Sequence, residues 1–143
     1  MVCHKIGGGW VLTLPDSYSA EYVKDDRVYK FCDSETDTAI RVSPLKAEKN
    51  GNPVPKEALK NAFAHSLDSI EGRAALREDD HEIGNGFSAM AFEYTYFSAK
   101  NELLFFISYG IYCDGALLSI QINSNIRENC EEALEYINNI YKE

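Results

Sequence analysis

Few residues in this sequence combine a chemically useful type with a useful spacing. The densest set is Asp79-Asp80-His81-Glu82, three carboxylates and an imidazole in a row. Oxygen and nitrogen donors of this kind suit a divalent cation. They fall, however, in a stretch that reads as a strand, Ala74 to Glu82. Successive strand side chains point to opposite sides, so the four cannot converge on one ion, and a solvated strand end is expected. Cys3, Cys32, Cys113 and Cys130 contain no Cys-x-x-Cys pair and match no zinc spacing. Cys113, on a sheet face, and Cys130, on a helical stripe, read as core thiols. His65 stands alone beside a helical stripe, a packing or solvent-edge position rather than a ligand. Gly7-Gly8-Gly9 precedes a strand rather than a helix start, so it is not a phosphate loop and reads as a loose beginning. No catalytic residue, metal ligand or cofactor site is assigned.

The elements that must position any site centre on Met90 to Asn123. Cys113-Asp114-Gly115-Ala116 lies between two apolar runs, and Asp-Gly supplies the positive φ angles of a two-residue hairpin turn. Cys113 then pairs with Ala116, Ile111 with Leu118, Tyr109 with Ile120 and Ile107 with Ile122. An even-numbered loop around Ser98–Glu102 would place Met90, Phe92, Tyr94 and Tyr96 on that same buried face. The opposite face is mixed. Glu93, Ser108 and Gln121 form its polar floor, with Phe97, Phe106 and Tyr112 as walls. It is either a seat for a covering element at Ala91, Gly110 and Ser119, the favoured reading, or a shallow ligand groove.

The chain of 143 residues is long enough to bury a core as one domain, residues 1–143. Its net charge of −9 should repel nucleic acid and anionic membranes. The carboxylates are densest at Asp16, Glu21, Asp25, Asp26, Asp33, Glu35 and Asp37. A solvated face is the plain reading, and a surface that docks a basic protein partner the sharper one. The N-terminus lacks an apolar signal core and no stretch reaches membrane-spanning length, so the cytoplasm is the expected setting.

Along the chain, Trp10–Leu14 reads as a strand, Ser17–Asp26 as a loop, and Arg27–Cys32 and Thr38–Leu45 as strands with Ile40 and Val42 inward. Lys46–Val54, with Asn50-Gly51-Asn52-Pro53, reads as the longest loop and the segment expected to be mobile. A helix follows from Pro55 to about Ser69, with Leu59, Ala62, Phe63, Ser66, Leu67 and Ile70 at helical spacing. Asn125 and Glu128 stand in capping-box positions for a last helix, whose stripe is Ile126, Cys130, Ala133, Leu134, Ile137, Ile140 and Tyr141. Together these imply an α+β fold: three layers, α/β/α, with a mainly antiparallel sheet of six to seven strands between two main helices, one per face.

The run Gly9-Trp10-Val11-Leu12-Thr13-Leu14-Pro15, the short strands through Ile40-Arg41-Val42-Ser43, and the helix, long strands and last helix after them resemble the PsbP-like fold. Tyr18 stands where members often carry Trp after that Pro. The superfamily includes the photosystem II extrinsic subunit, a Ran-binding nuclear import factor and small bacterial proteins such as type VI secretion chaperones. The resemblance implies binding and assembly rather than catalysis. The expected function is therefore a small non-enzymatic protein-binding module of adaptor, chaperone or immunity type. A small-ligand domain using the mixed sheet face is the alternative. An enzyme would need Glu93 as base beside Ser108, with no His or Cys placed to complete a nucleophilic set.

Overall fold

A computed structural model describes residues 1–70 and 72–143. Among the described residues twelve strands and two α-helices follow one another: β1 Val2–Ile6, β2 Trp10–Leu14, β3 Tyr18–Val23, β4 Val28–Asp33, β5 Thr38–Lys46, β6 Glu48–Lys49, β7 Asn52–Pro53, α1 Lys56–Asp68, β8 Ala74–Ile83, β9 Phe87–Phe97, β10 Leu103–Cys113, β11 Ala116–Ser124, α2 Arg127–Ile137 and β12 Tyr141–Lys142. The main sheet has seven strands in the order β3-β4-β5-β11-β10-β9-β8, every neighbour antiparallel. Two meanders, β3–β5 and β8–β11, join where β11 pairs with β5. The fold is the expected α+β, with one helix on each sheet face.

One face carries the larger core. Ile40, Val42, Ile107, Tyr109, Ile111, Leu118, Ile120 and Ile122 lie under Cys130, Ala133 and Ile137 of α2 and under Trp10, Leu12 and Leu14 of β2. β2 is the middle of a small second sheet, flanked by β1 and β12. On the other face Leu59, Phe63 and Leu67 of α1 pack on Met90, Phe92 and Tyr94. Gly110 makes the close approach possible: a Cβ there would stand 3.2 Å from Phe63 and from Met90. Of the expected seat at Ala91, Gly110 and Ser119, Gly110 receives the helix, whereas Ala91 lies opposite Tyr109 on the other face.

The Asp114–Gly115 turn forms with positive φ at both residues, and its hairpin has the expected register from Cys113–Ala116 to Ile107–Ile122. The register between β9 and β10 differs from the expectation by one residue. Their connection, Ser98–Glu102, has five residues rather than an even number. It is closed by Ser98 Oγ accepting the N–H groups of Lys100 and Glu102, with Asn101 at φ 61°. Tyr94 therefore opposes Phe106, and Glu93 opposes Ile107. A shift of one residue exchanges the two faces of a strand. Met90, Phe92 and Tyr94 go under α1, while Ala91 and Glu93 join the α2 face.

Other segments differ locally. Residues 2–6 form a strand, and Gly7–Gly9 is its hairpin turn rather than a loose start, with Gly8 and Gly9 at φ 76° and 83°. Tyr18–Val23 is the edge strand β3 rather than a loop. The Lys46–Val54 segment closes on itself as the β6–β7 hairpin. No Asn125 capping box forms: Ile126 flanks the helix, and its N–H donates to Ser124 Oγ at 3.3 Å. α2 ends at Ile137, so Tyr141 and Lys142 lie in β12 rather than on the helical stripe or at a helix end.

Candidate functional site

The six groove candidates are not brought together. Glu93 and Phe97 stand on the α2 face; Phe106, Ser108, Tyr112 and Gln121 stand on the α1 face. Glu93 and Ser108 thus have the sheet between them and cannot act on one substrate. Glu93 is buried, its side chain 3% exposed, with Arg127 Nη2 2.6 Å from Oε1 and Arg77 Nη2 3.5 Å from Oε2. The carboxylate ties β9 to the first residue of α2. Phe106 and Gln121 do meet, with Ile70, Tyr94 and Tyr96, around an open recess of about 250 Å³. α1 covers the part of that face around Met90, Phe92 and Gly110, where Phe63 packs.

Strand alternation separates the Asp79–Glu82 run as expected. Glu78 and Asp80 face α1 and hold Lys60, at 3.7 and 2.9 Å. On the other side Asp79 Oδ2 lies 3.4 Å from His81 Nδ1, and His81 Nε2 lies 2.9 Å from the Tyr109 hydroxyl. That hydroxyl donates to Asn138 Oδ1 at 2.6 Å, so His81 must donate to it through Nε2–H. This carboxylate–imidazole–phenol line has the order of a proton relay. Tyr109, however, is fully buried and burial raises its pKa, so no substrate reaches the hydroxyl. Among the described residues no group of three His, Cys, Asp or Glu is placed to hold a metal, and no helix is long and apolar enough to cross a membrane. The Cys130 thiol, donating to Phe105 O at 3.4 Å, is pushed up to about 12 by burial and then by Glu93. It is held as a neutral packing group.

The acidic residues of the N-terminal third divide between the two ends of the β3–β4 hairpin. Asp25 and Asp26 sit at its tip beside Lys24 and Arg27, a mixed surface. Glu21 is exposed in mid-strand, and Asp16 pairs with the N-terminal amine at 2.7 Å. Asp33 is turned inward: it accepts from the Glu35 N–H at 3.0 Å and the Thr36 hydroxyl at 2.7 Å. Burial pushes its pKa upward, but these bonds and one from Ser17 outweigh that, so it remains low. Glu35 and Asp37 stay exposed, Asp37 in a left-handed turn at φ 53°.

Sequence reasoning missed what lies next to them. Asn129 Nδ2 donates to Thr36 O at 3.0 Å and clamps the first turn of α2 against the β4–β5 turn. Glu128, Glu131, Glu132 and Glu135 are exposed on α2. Glu35, Asp33 and Glu132 with Tyr18 and Tyr136 wall a recess of about 230 Å³ that no Lys or Arg lines. Burial, then Asp33, raises the Tyr18 pKa, and burial, then Glu132, that of Tyr136. The available signal was the spacing 128, 131, 132, 135, an acidic stripe opposite the Cys130–Ala133–Ile137 stripe.

No protein-family model matches the chain, and no curated protein is similar to it in sequence. Solved structures do share its fold. The cyanobacterial PsbP of Synechocystis superposes with a TM-score of 0.67 at 12% identity, over 94% of this chain and 87% of the other. A protein of unknown function from Pseudomonas aeruginosa gives 0.61 at 12% identity, over 100% and 97%. The Ran-binding protein Mog1p of Saccharomyces cerevisiae gives 0.56 at 15% identity, over 91% and 79%. The chain has a PsbP-like fold.

Proposed function

We propose that the protein is a small non-enzymatic protein-binding module, of adaptor, chaperone or immunity type, that docks a basic partner on its acidic end. The observation that carries this is the recess at the β4–β5 turn, walled by Asp33, Glu35 and Glu132 with no Lys or Arg among its described lining residues and continued by the exposed Glu128 and Glu135 of α2, while Glu131 pairs with Arg127. Uncompensated charge of one sign steers an oppositely charged surface and fixes its orientation. The Ran-binding neighbour is consistent with protein docking on this fold. A second reading, a small-ligand site on the mixed sheet face, rests on the Phe106–Gln121 recess alone.

The test is capture of partners by tagged protein from its native lysate in parallel with two charge variants. Glu35→Lys with Glu132→Lys should lose a stoichiometric partner by about tenfold or more, and Asp25→Lys with Asp26→Lys should retain it. A partner retained by both variants, or lost equally from both, refutes docking at this end.

A further inference from the structure

The opposite end of the sheet carries a cavity of about 500 Å³ that the acidic end does not explain. It is built where four connections converge: the Gly7–Gly9 turn, the β3–β4 tip, the exit of β5 and the Asp114–Gly115 turn. Trp10 and Pro44 line it, and so do the rings of Tyr22 and Tyr29, 4.6 Å apart. Tyr22 is about half exposed, an aromatic surface that folding leaves open. Three cations, Arg27, Lys46 and Lys142, line it too. Among the described residues none of the three forms an ion pair with a carboxylate, in a chain whose net charge is −9. Lys142 Nζ instead lies 5.3 Å from the centre of the Trp10 ring. The acids of the lining are Glu48, which packs over Gly115, and Asp114 of the turn.

Arg27 supplies an independent sign. Five described non-glycine residues have positive φ, and four of them are Asn or Asp, which tolerate the left-handed region. The fifth is Arg27, at φ 53°. A long side chain in that conformation is costly where Gly or Asn would be free of strain, and local strain of this kind collects at ligand-binding positions.

The geometry points to a binding site here for a small organic anion, an apolar or aromatic body bearing a carboxylate or phosphate group. The body lies against Tyr22, Tyr29 and Pro44, with the buried Trp10 behind them, and the anionic group is met by Arg27 and Lys46. The volume falls within the roughly 300–1,000 Å³ usual for small-molecule sites, and apolar walls with a few convergent charges are their usual form. The site is separate from the proposed docking surface, because β4 and β5 run between them and hold them roughly 20 Å apart.

Trp10 is the single tryptophan of the chain and lines the cavity, so its fluorescence reports binding directly. The experiment titrates the protein with 4-phenylbutyrate, phenyl phosphate and the neutral 4-phenylbutanamide, with amide shifts of Gly8 and Gly115 read by NMR. At least one anion should bind saturably, with shifts at both glycines, and the neutral amide about tenfold more weakly. If phenylbutyrate and phenyl phosphate differ, the tighter one identifies the anionic group. Lys46→Gln should weaken the anion about tenfold. Arg27→Gly should weaken it similarly while leaving the melting temperature equal or higher, because the strain is removed with the charge. No saturation with either anion, equal binding of the amide, or undiminished binding by Arg27→Gly overturns the proposal.

Discussion

Gly110 and Cys130 show how single residues set the two faces of the sheet. At Gly110 the missing side chain is what admits Phe63 of α1, at 3.2 Å from a hypothetical Cβ. Gly110→Ala should lower stability by about 1–3 kcal/mol, the usual cost of overpacking, read as an earlier urea midpoint. Cys130 has its folded pKa raised to about 12, chiefly by burial, and burial raises Tyr109 and Tyr18 as well. A group held above its unfolded value contributes stability that is complete below the unfolded pKa and is lost as pH rises through the folded one. Urea midpoints should therefore hold to about pH 8 and fall progressively between about 9 and 12. Cys3 and Cys32 are exposed and should take up a thiol reagent at once, whereas Cys130 should label only on unfolding. Glu93 is the residue whose place was least legible. Its alternation within β9 was clear, but the face depended on whether five or an even number of residues turned the chain at Ser98–Glu102. Nothing in Ser-Ala-Lys-Asn-Glu fixes that count short of the Ser98 Oγ bonds and the left-handed Asn101.

At the scale of elements, strong periodicity or turn chemistry was readable, and tertiary pairing was not. The Asp114-Gly115 hairpin and the Leu59–Phe63–Leu67 face of α1 follow from spacing alone. Tyr18–Val23 does not alternate, because β3 is an edge strand with only Tyr18 buried, so its strand character comes from pairing with β4. Ile140 and Tyr141 fit a helical period, yet Ile140 is buried beyond the end of α2 and Tyr141 pairs with Val11. Asn138-Asn139, both poor helix formers, were the local sign of that end. The other edge of the sheet, β8, is ten residues long and carries Glu78, Asp79, Asp80 and Glu82. Charges on a long exposed edge prevent its pairing with another chain. Replacing Glu78 and Asp80 together by Val should increase concentration-dependent association in light scattering over that of the parent, with the fold retained by circular dichroism.

The whole molecule is electrically lopsided in a way that net charge conceals. Carboxylates gather around the β4–β5 turn and α2 with few cations among them, whereas at the far ends of the same strands Arg27, Lys46 and Lys142 stand among Asp25, Asp26, Glu48 and Asp114. Composition gave the sign of the total but not this division, which arises because β4 and β5 carry their turns to opposite ends of the sheet. Capture of a basic partner at the acidic end should accordingly weaken as salt rises, since exposed charges are screened within about 8 Å at physiological ionic strength. The fold itself persists among solved structures at 12–15% identity. One fold is thus compatible with many surfaces.

The pairing of β5 with β11 also has a consequence in time. About seventy residues separate the end of β5 from the start of β11. At roughly 5–20 residues per second, a ribosome takes about 4–14 s to make them. During that interval β3, β4 and β5 have been made without β11, so the β5 edge has no partner and Phe31, Ile40 and Val42 lack the α2 face that buries them. Until β11 arrives, that edge and those side chains stay open to non-native pairing.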